Sequence, residues 1–213
     1  FSVYMPPVCA PDITELPANK NGFVTFGSFN NYAKIHDETL LLWAQILSKI
    51  DNSRLVIKNK AMRFSMVRHR VLCLFKNQGI DENRLDLIDR DQSTEAHLRR
   101  IGSVDICLDT YPYSGTTTTC ESLWMGAPVI TLLGQHHRSR VSAGILSLLG
   151  MAEFIANSKE EYVFAAVNSA GNLNKLNDLR MKLRAVMQNS SIMQYKEFTE
   201  NFESTIKKLC EIK

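Results

Sequence analysis

The sequence predicts an α/β fold, a Rossmann-like parallel sheet flanked by helices. Three observations carry this. Short β-rich runs alternate with amphipathic helical patterns along most of the chain; the separating helices have the length of about 10–15 residues typical of βαβ units; and 213 residues at 45% hydrophobic and 22% charged suffice for one good core, with no internal repeat or low-complexity tract.

The elements follow in order. Residues 1–22 hold Pro6, Pro7, Pro11 and Pro17, lack sustained periodicity and end at the turn dipeptide Asn21-Gly22, so they are expected to be a linker, with the domain spanning 23–213. Phe23 to Ser28 reads as the first strand. Asp37 to Ile50 places Leu40, Trp43, Leu47 and Ile50 at helical spacing. Ser53 to Lys58 is a second strand, the stretch to about Gln78 a helix, and Arg84 to Ile88 a third strand. Thr94 to Ile101 is helical, Val104 to Leu108 a strand, Thr117 to Trp124 a helix and Pro128 to Leu133 a strand. From Arg138 the pattern is mainly helical, closing on an amphipathic helix with Tyr195, Phe198, Phe202, Ile206 and Leu209, which should lie across a surface. In a parallel sheet of this kind ligands bind beyond the carboxyl ends of the strands, which confines the search for chemistry to the segments after Ser28, Lys58, Ile88, Leu108 and Leu133.

The totals exclude several classes. A net charge of +3 is too small to argue for nucleic acid or a membrane surface. Five scattered cysteines without CxxC spacing indicate neither a disulfide framework nor a zinc site and fit a reducing, cytoplasmic location. No run approaches 18 apolar residues, and no charged start precedes an apolar segment, so neither a membrane span nor a signal peptide is expected.

The strongest constellation is Asp109-Thr-Tyr-Pro-Tyr-Ser-Gly-Thr-Thr-Thr-Thr-Cys-Glu121. Gly115 followed by Thr116, Thr117 and Thr118 at a helix start offers free backbone N–H groups, hydroxyls and the positive end of the helix dipole, which suit a phosphate. Glu121 shares a helix face with Thr117 and can accept the two hydroxyls of a ribose. Plain N-capping explains one threonine but not the run. After the first strand, Lys34 is placed to neutralise a leaving diphosphate, with Asn31 donating beside it. Lys58 closes the second strand as a secondary phosphate contact. Gln92 lies in the loop before the helix that carries His97 and Arg100, which share one side and can stack on a base or reach a phosphate. Asp89-Arg-Asp91 matches a loose metal-holding pattern but lacks a third oxygen ligand, so no metal site is expected. His136 and His137, followed by Arg138 and Arg140, form a loop placed near the sugar; His69 reads as helix surface. No GxGxxG follows the first strand, against a dinucleotide oxidoreductase.

Taken together, Phe26 to Ile35, Asp105 to Val129 and Arg140 to Leu146 resemble the catalytic region of protein O-linked N-acetylglucosamine transferases and, more closely, of SPINDLY-type proteins. The resemblance runs from about Asn21 to the C-terminus. It implies the C-terminal half of a GT-B glycosyltransferase: two Rossmann-like domains facing one cleft, tetratricopeptide repeats upstream, and inverting, metal-independent transfer from a nucleotide sugar to a serine or threonine hydroxyl. It implies Lys34 as the essential diphosphate lysine, Asn31 as a neighbouring amide, His97 and Arg100 as base-proximal, Thr116, Thr117 and Thr118 on the phosphate turn and Glu121 as the ribose acid. Thr116, Glu121 and Asn31 stand where the N-acetylglucosamine transferases have histidine, aspartate and glutamine. These departures lean toward the SPINDLY type, whose plant members use GDP-fucose, and leave UDP-GlcNAc and GDP-fucose both open as donors, with no further cofactor. The acceptor protein would be held by domains this chain lacks, so little or no transfer is expected from it alone, and its oligomeric state is open. A non-catalytic nucleotide-binding module or an epimerase-like domain are the alternatives; the latter lacks a convincing carboxylate pair.

Overall fold

The computed structural model describes residues 3–211. Six parallel strands form one sheet: β1 (Val24–Ser28), β2 (Ser53–Lys58), β3 (Leu85–Ile88), β4 (Ile106–Leu108), β5 (Val129–Leu132) and β6 (Ile155–Ala156), in the order β3-β2-β1-β4-β5-β6. β1 pairs with β2 over its whole length, from Val24 opposite Ser53 to Ser28 opposite Ile57, and with β4 through Phe26 and Gly27. The chain order reverses between β1 and β4. At such a switch point the loops leaving two neighbouring strands diverge and open a crevice.

Helices flank the sheet. After a short α1 (Pro17–Asn21) come α2 (Asp37–Lys49), α3 (Ser65–Asn77), α4 (Thr94–Ile101), α5 (Thr117–Trp124), α6 (Val141–Leu148), α7 (Lys159–Ala170), α8 (Leu173–Gln188) and α9 (Tyr195–Glu211). α2 packs against α3 and α7, whereas α5 packs against α4, α6 and α8. The stripe read from α2 is the core face: Leu40, Trp43 and Leu47 are fully buried, each removing on the order of 2 kcal/mol of apolar surface from water. Trp43 donates its indole N–H to the Tyr162 hydroxyl at 3.1 Å, and that hydroxyl donates to the Asp109 carbonyl at 2.9 Å. This relay ties α2 and α7 to the carboxyl end of β4.

Two features depart from the sequence reading. β6 is only two residues long, too short for any periodicity, and is defined by its pairing with β5. The segment expected to be a linker is docked on the domain: Tyr4 and Leu16 are buried, and α8 fixes the chain through Asn177 on the Leu16 N–H, Arg180 on the Thr14 carbonyl and Arg184 on the Pro11 carbonyl. These three side chains fall along one face of α8, a pairing between chain ends that local pattern does not register. The amphipathic stripe read for α9 is uncovered: the helix buries no residue, and Tyr195, Phe202, Ile206 and Leu209 stand exposed.

Candidate functional site

The crevice between β1 and β4 is built around Asp109, the first residue beyond β4. Its Oδ1 accepts from the Gly115 N–H at 2.8 Å, the Thr110 N–H at 2.9 Å and the Asn30 amide at 3.2 Å, and its Oδ2 from the Thr131 hydroxyl at 2.7 Å. Burial pushes this carboxyl upward against those donors. The carboxylate closes residues 110–115 into a compact turn that leads straight into α5. A side chain at Gly115 has no room: a Cβ there would stand 2.4 Å from the Thr119 hydroxyl. The Thr119 hydroxyl meets that of Ser142 at 2.8 Å, anchoring the first turn of α5 on α6.

The start of α5 is open. The first helical bond is from Cys120 to the Thr116 carbonyl, leaving the N–H groups of Thr117, Thr118 and Thr119 without an intrahelical acceptor. Thr116 and Thr117 are exposed, Thr118 is half-buried, and no side-chain hydroxyl caps the helix. Threonine hydroxyls and three amide donors thus gather at the positive end of a helix, an arrangement suited to an anion.

Lys34 reaches the same place from the other wall. It ends a turn, Tyr32–Lys34, whose cap is the Asn31 side chain accepting from Ala33 at 3.2 Å; this leaves the exposed Asn31 amide group able to donate. The Lys34 ammonium donates to the Ser114 carbonyl at 2.9 Å and lies 4.0 Å from the Tyr113 ring centroid. Burial pulls the ammonium below the ordinary lysine value, and the Asp109 charge opposes that shift.

A second cluster flanks the first toward β2 and β3. Lys58 lies 3.0 Å from His97 Nδ1 and 3.2 Å from Asp91 Oδ2, Arg100 binds Asp91 Oδ1 at 2.7 Å, and His97 Nε2 is 3.4 Å from Glu121 Oε2. Burial pushes the Asp91 carboxyl upward, but hydrogen bonds from Arg100 and Lys58 outweigh it and hold the group below the usual carboxylate range. The His97 ring meets Phe29 edge-on at 5.9 Å between centroids. Lys58, His97, Arg100 and Glu121, distant in sequence, therefore form one network, and Asp91 of the loose metal pattern is its anchor. Gln92 is exposed beside that network, with no hydrogen bond to it. Among the described residues no group of three His, Cys, Asp or Glu side chains could hold a metal ion, and no helix is long and apolar enough to cross a membrane.

Sequence reading missed Asp109 as the organiser of the turn, and Asn30 and Asn59, whose amide donates to the Asn30 carbonyl at 3.0 Å. The available signal for Asp109 was an acid directly following an apolar strand. His69, read as helix surface, lies on α3 with Cys73 3.3 Å from its Nε2.

Comparison with known proteins places this geometry. Residues 9–202 match the family described as Glycosyl transferase family 41. The chain is 40% identical over 209 residues to a SPINDLY protein of Petunia hybrida, described as a probable UDP-N-acetylglucosamine-peptide N-acetylglucosaminyltransferase, covering 98% of this chain and 22% of that protein. A SPINDLY protein of Solanum lycopersicum with the same description is 41% identical over 204 residues, covering 96% and 22%. The chain thus spans about a fifth of the length of these relatives. A solved mutant of the Thermobaculum terrenum O-GlcNAc transferase matches with a TM-score of 0.82 at 32% identity, over 94% of this chain and 38% of that one. With the family match over residues 9–202 and this similarity over nearly its whole length, the chain belongs to glycosyltransferase family 41.

Proposed function

We propose that this domain binds the donor of a protein O-glycosyltransferase, a nucleotide sugar, at the β1/β4 switch point. The observation that carries the reading is the Lys34 ammonium, half-withdrawn from water and held on the Ser114 carbonyl, two residues before Thr116 and the open start of α5. A diphosphate there would be met by a cation, amide donors and hydroxyls together. Glu121 would take the ribose hydroxyls, and His97, with Lys58, Gln92 and Arg100 around it, would border the base.

In the intact enzyme the acceptor serine or threonine oxygen attacks the anomeric carbon from the face opposite the diphosphate. The bond from that carbon to the phosphate oxygen breaks, and its electron pair leaves with the nucleoside diphosphate. Lys34 and the α5 start stabilise the charge that develops on the leaving oxygen, in place and without reorganisation. The acceptor proton goes to a general base, and no step is assigned to a metal. The exposed stripe of α9 supports placing a further domain against this one. The relatives' descriptions favour UDP-GlcNAc as donor, while Thr116, Glu121 and Asn31 keep GDP-fucose in play.

The test is Lys34→Ala in the full-length protein. Loss of one such charge stabiliser is expected to lower the rate by roughly 100- to 1,000-fold with the fold intact. Near-normal transfer would sink the assignment.

A further inference from the structure

α3 carries a thiol beside an imidazole. His69 and Cys73 stand four positions apart on this helix, a spacing that brings two side chains onto one face. The Cys73 sulfur lies 3.3 Å from His69 Nε2 and 3.9 Å from Nδ1, so the nearer nitrogen can take the thiol proton. Both side chains border an open cavity of about 570 Å³, within the usual size range of small-molecule sites and sharing no residue with the donor crevice. We propose that Cys73 is a thiol-modification site: with His69 as proton acceptor, it exchanges with a small peptide disulfide seated in this cavity and becomes a mixed disulfide.

The other cysteines lack this combination. Cys107 and Cys120 are buried, and burial pushes their thiols up to about 12, which keeps them protonated and unreactive. Cys9 and Cys210 are exposed, but neither borders the cavity. Accessibility alone would favour those two over the half-buried Cys73. A faster Cys73 therefore reports the imidazole and the cavity.

The exchange conserves atoms and electrons. The Cys73 S–H proton passes to His69 Nε2, and the sulfur attacks one sulfur of the disulfide. A new S–S bond forms as the old one breaks, and the departing sulfur leaves with the electron pair and collects the proton from His69. Cys73 is oxidised and the disulfide is reduced, so no other oxidant is required.

The cavity wall defines the ligand class. Arg68 and Arg70, on the same helix, are engaged elsewhere, the first on the Leu87 carbonyl and the second on Tyr32 and Asp37. Lys76 is the basic group that borders the cavity, with Asp81 and Glu82 as acids and Leu72 and Ile80 as apolar surface. A ligand with carboxylate and ammonium groups on a short frame matches that mixture of charges, as a small peptide disulfide does.

The experiment treats the whole chain with oxidised glutathione and follows the peptides bearing Cys73, Cys9 and Cys210 by mass spectrometry. Cys73 is expected to be thiolated about ten-fold or more faster than Cys9 and Cys210, short of the roughly 100-fold that a fully held base supplies, because His69 is exposed. His69→Ala is expected to remove that advantage, with an unchanged melting temperature as the check on the fold. Hydroxyethyl disulfide, a neutral probe of the same exchange, is expected to keep the dependence on His69 but to favour Cys73 less. Cys73 reacting no faster than Cys9 and Cys210, or at an unchanged rate in His69→Ala, overturns the site. Equal preference for Cys73 with the neutral probe overturns the assignment of the cavity to a charged peptide.

Discussion

Replacing Asp109 separates the role of its shape from the role of its hydrogen bonds. Asp109→Ala removes the acceptor for four donors at once: the Thr110 and Gly115 N–H groups, the Asn30 amide and the Thr131 hydroxyl. Asp109 is 2% exposed, so water cannot freely replace it. Each buried donor left unpaired costs about 1–3 kcal/mol, and the two backbone groups have no rotational freedom to find another partner. Relaxation makes the four less than additive, and the expected loss is about 3–5 kcal/mol. For a chain of this size that lowers the melting temperature by roughly 6–20 °C. Asp109→Asn keeps Oδ1 for three of the donors, and the Thr131 hydroxyl can turn to accept from the new amide, so its cost is expected near 1 kcal/mol. Urea unfolding followed by far-ultraviolet circular dichroism measures both. Equal costs for the two variants, or a loss under about 1 kcal/mol for Asp109→Ala, would refute Asp109 as the organiser of the 110–115 turn.

Further outcomes follow from the same geometry. Because Asp91 is held below the usual carboxylate range, its contribution to stability is present above its unfolded value, about 4, and is lost as pH falls through the lower folded value. Asp91→Asn should therefore destabilise at pH 7 and flatten the acid side of the stability profile; an acid limb identical to that of the unaltered chain contradicts the network. Burial lowers Lys34, so affinity for UDP or GDP should decline at a pH below the ordinary lysine value of 10.5, and Lys34→Met should remove that decline. Titrations that keep full affinity up to that value would refute the assignment of Lys34 to the phosphates. Arg180 is fully buried on the Thr14, Gly102 and Val104 carbonyls, and Arg180→Met should cost about 3 kcal/mol and speed amide exchange around Leu16, with exchange confined to the C-terminus counting against the clamp.

Local pattern along the chain carries part of this structure. The apolar spacing of Leu40, Trp43 and Leu47 sets the buried face of α2, because a helix repeats every 3.6 residues. Gly115 and the threonines after it mark an open helix start, since a short hydroxyl-bearing run at that point leaves amide donors exposed. The alternation of strand and helix dictated the parallel sheet, which needs a crossover between strands. Tertiary structure alone decided which of these pieces meet. Strand order put the loops after β1 and β4 side by side, so Lys34 and Ser114, 80 positions apart, became neighbours. Asp91 looked like half of a metal pattern until folding surrounded it with Lys58 and Arg100, because a carboxylate's role depends on which charges share its low-dielectric pocket. Residues 3–22 looked like a linker because their anchors, Asn177, Arg180 and Arg184, lie more than 160 residues away on α8. Hydrogen bonds across such separations leave no periodicity in the chain, and only the packed fold brings their partners together.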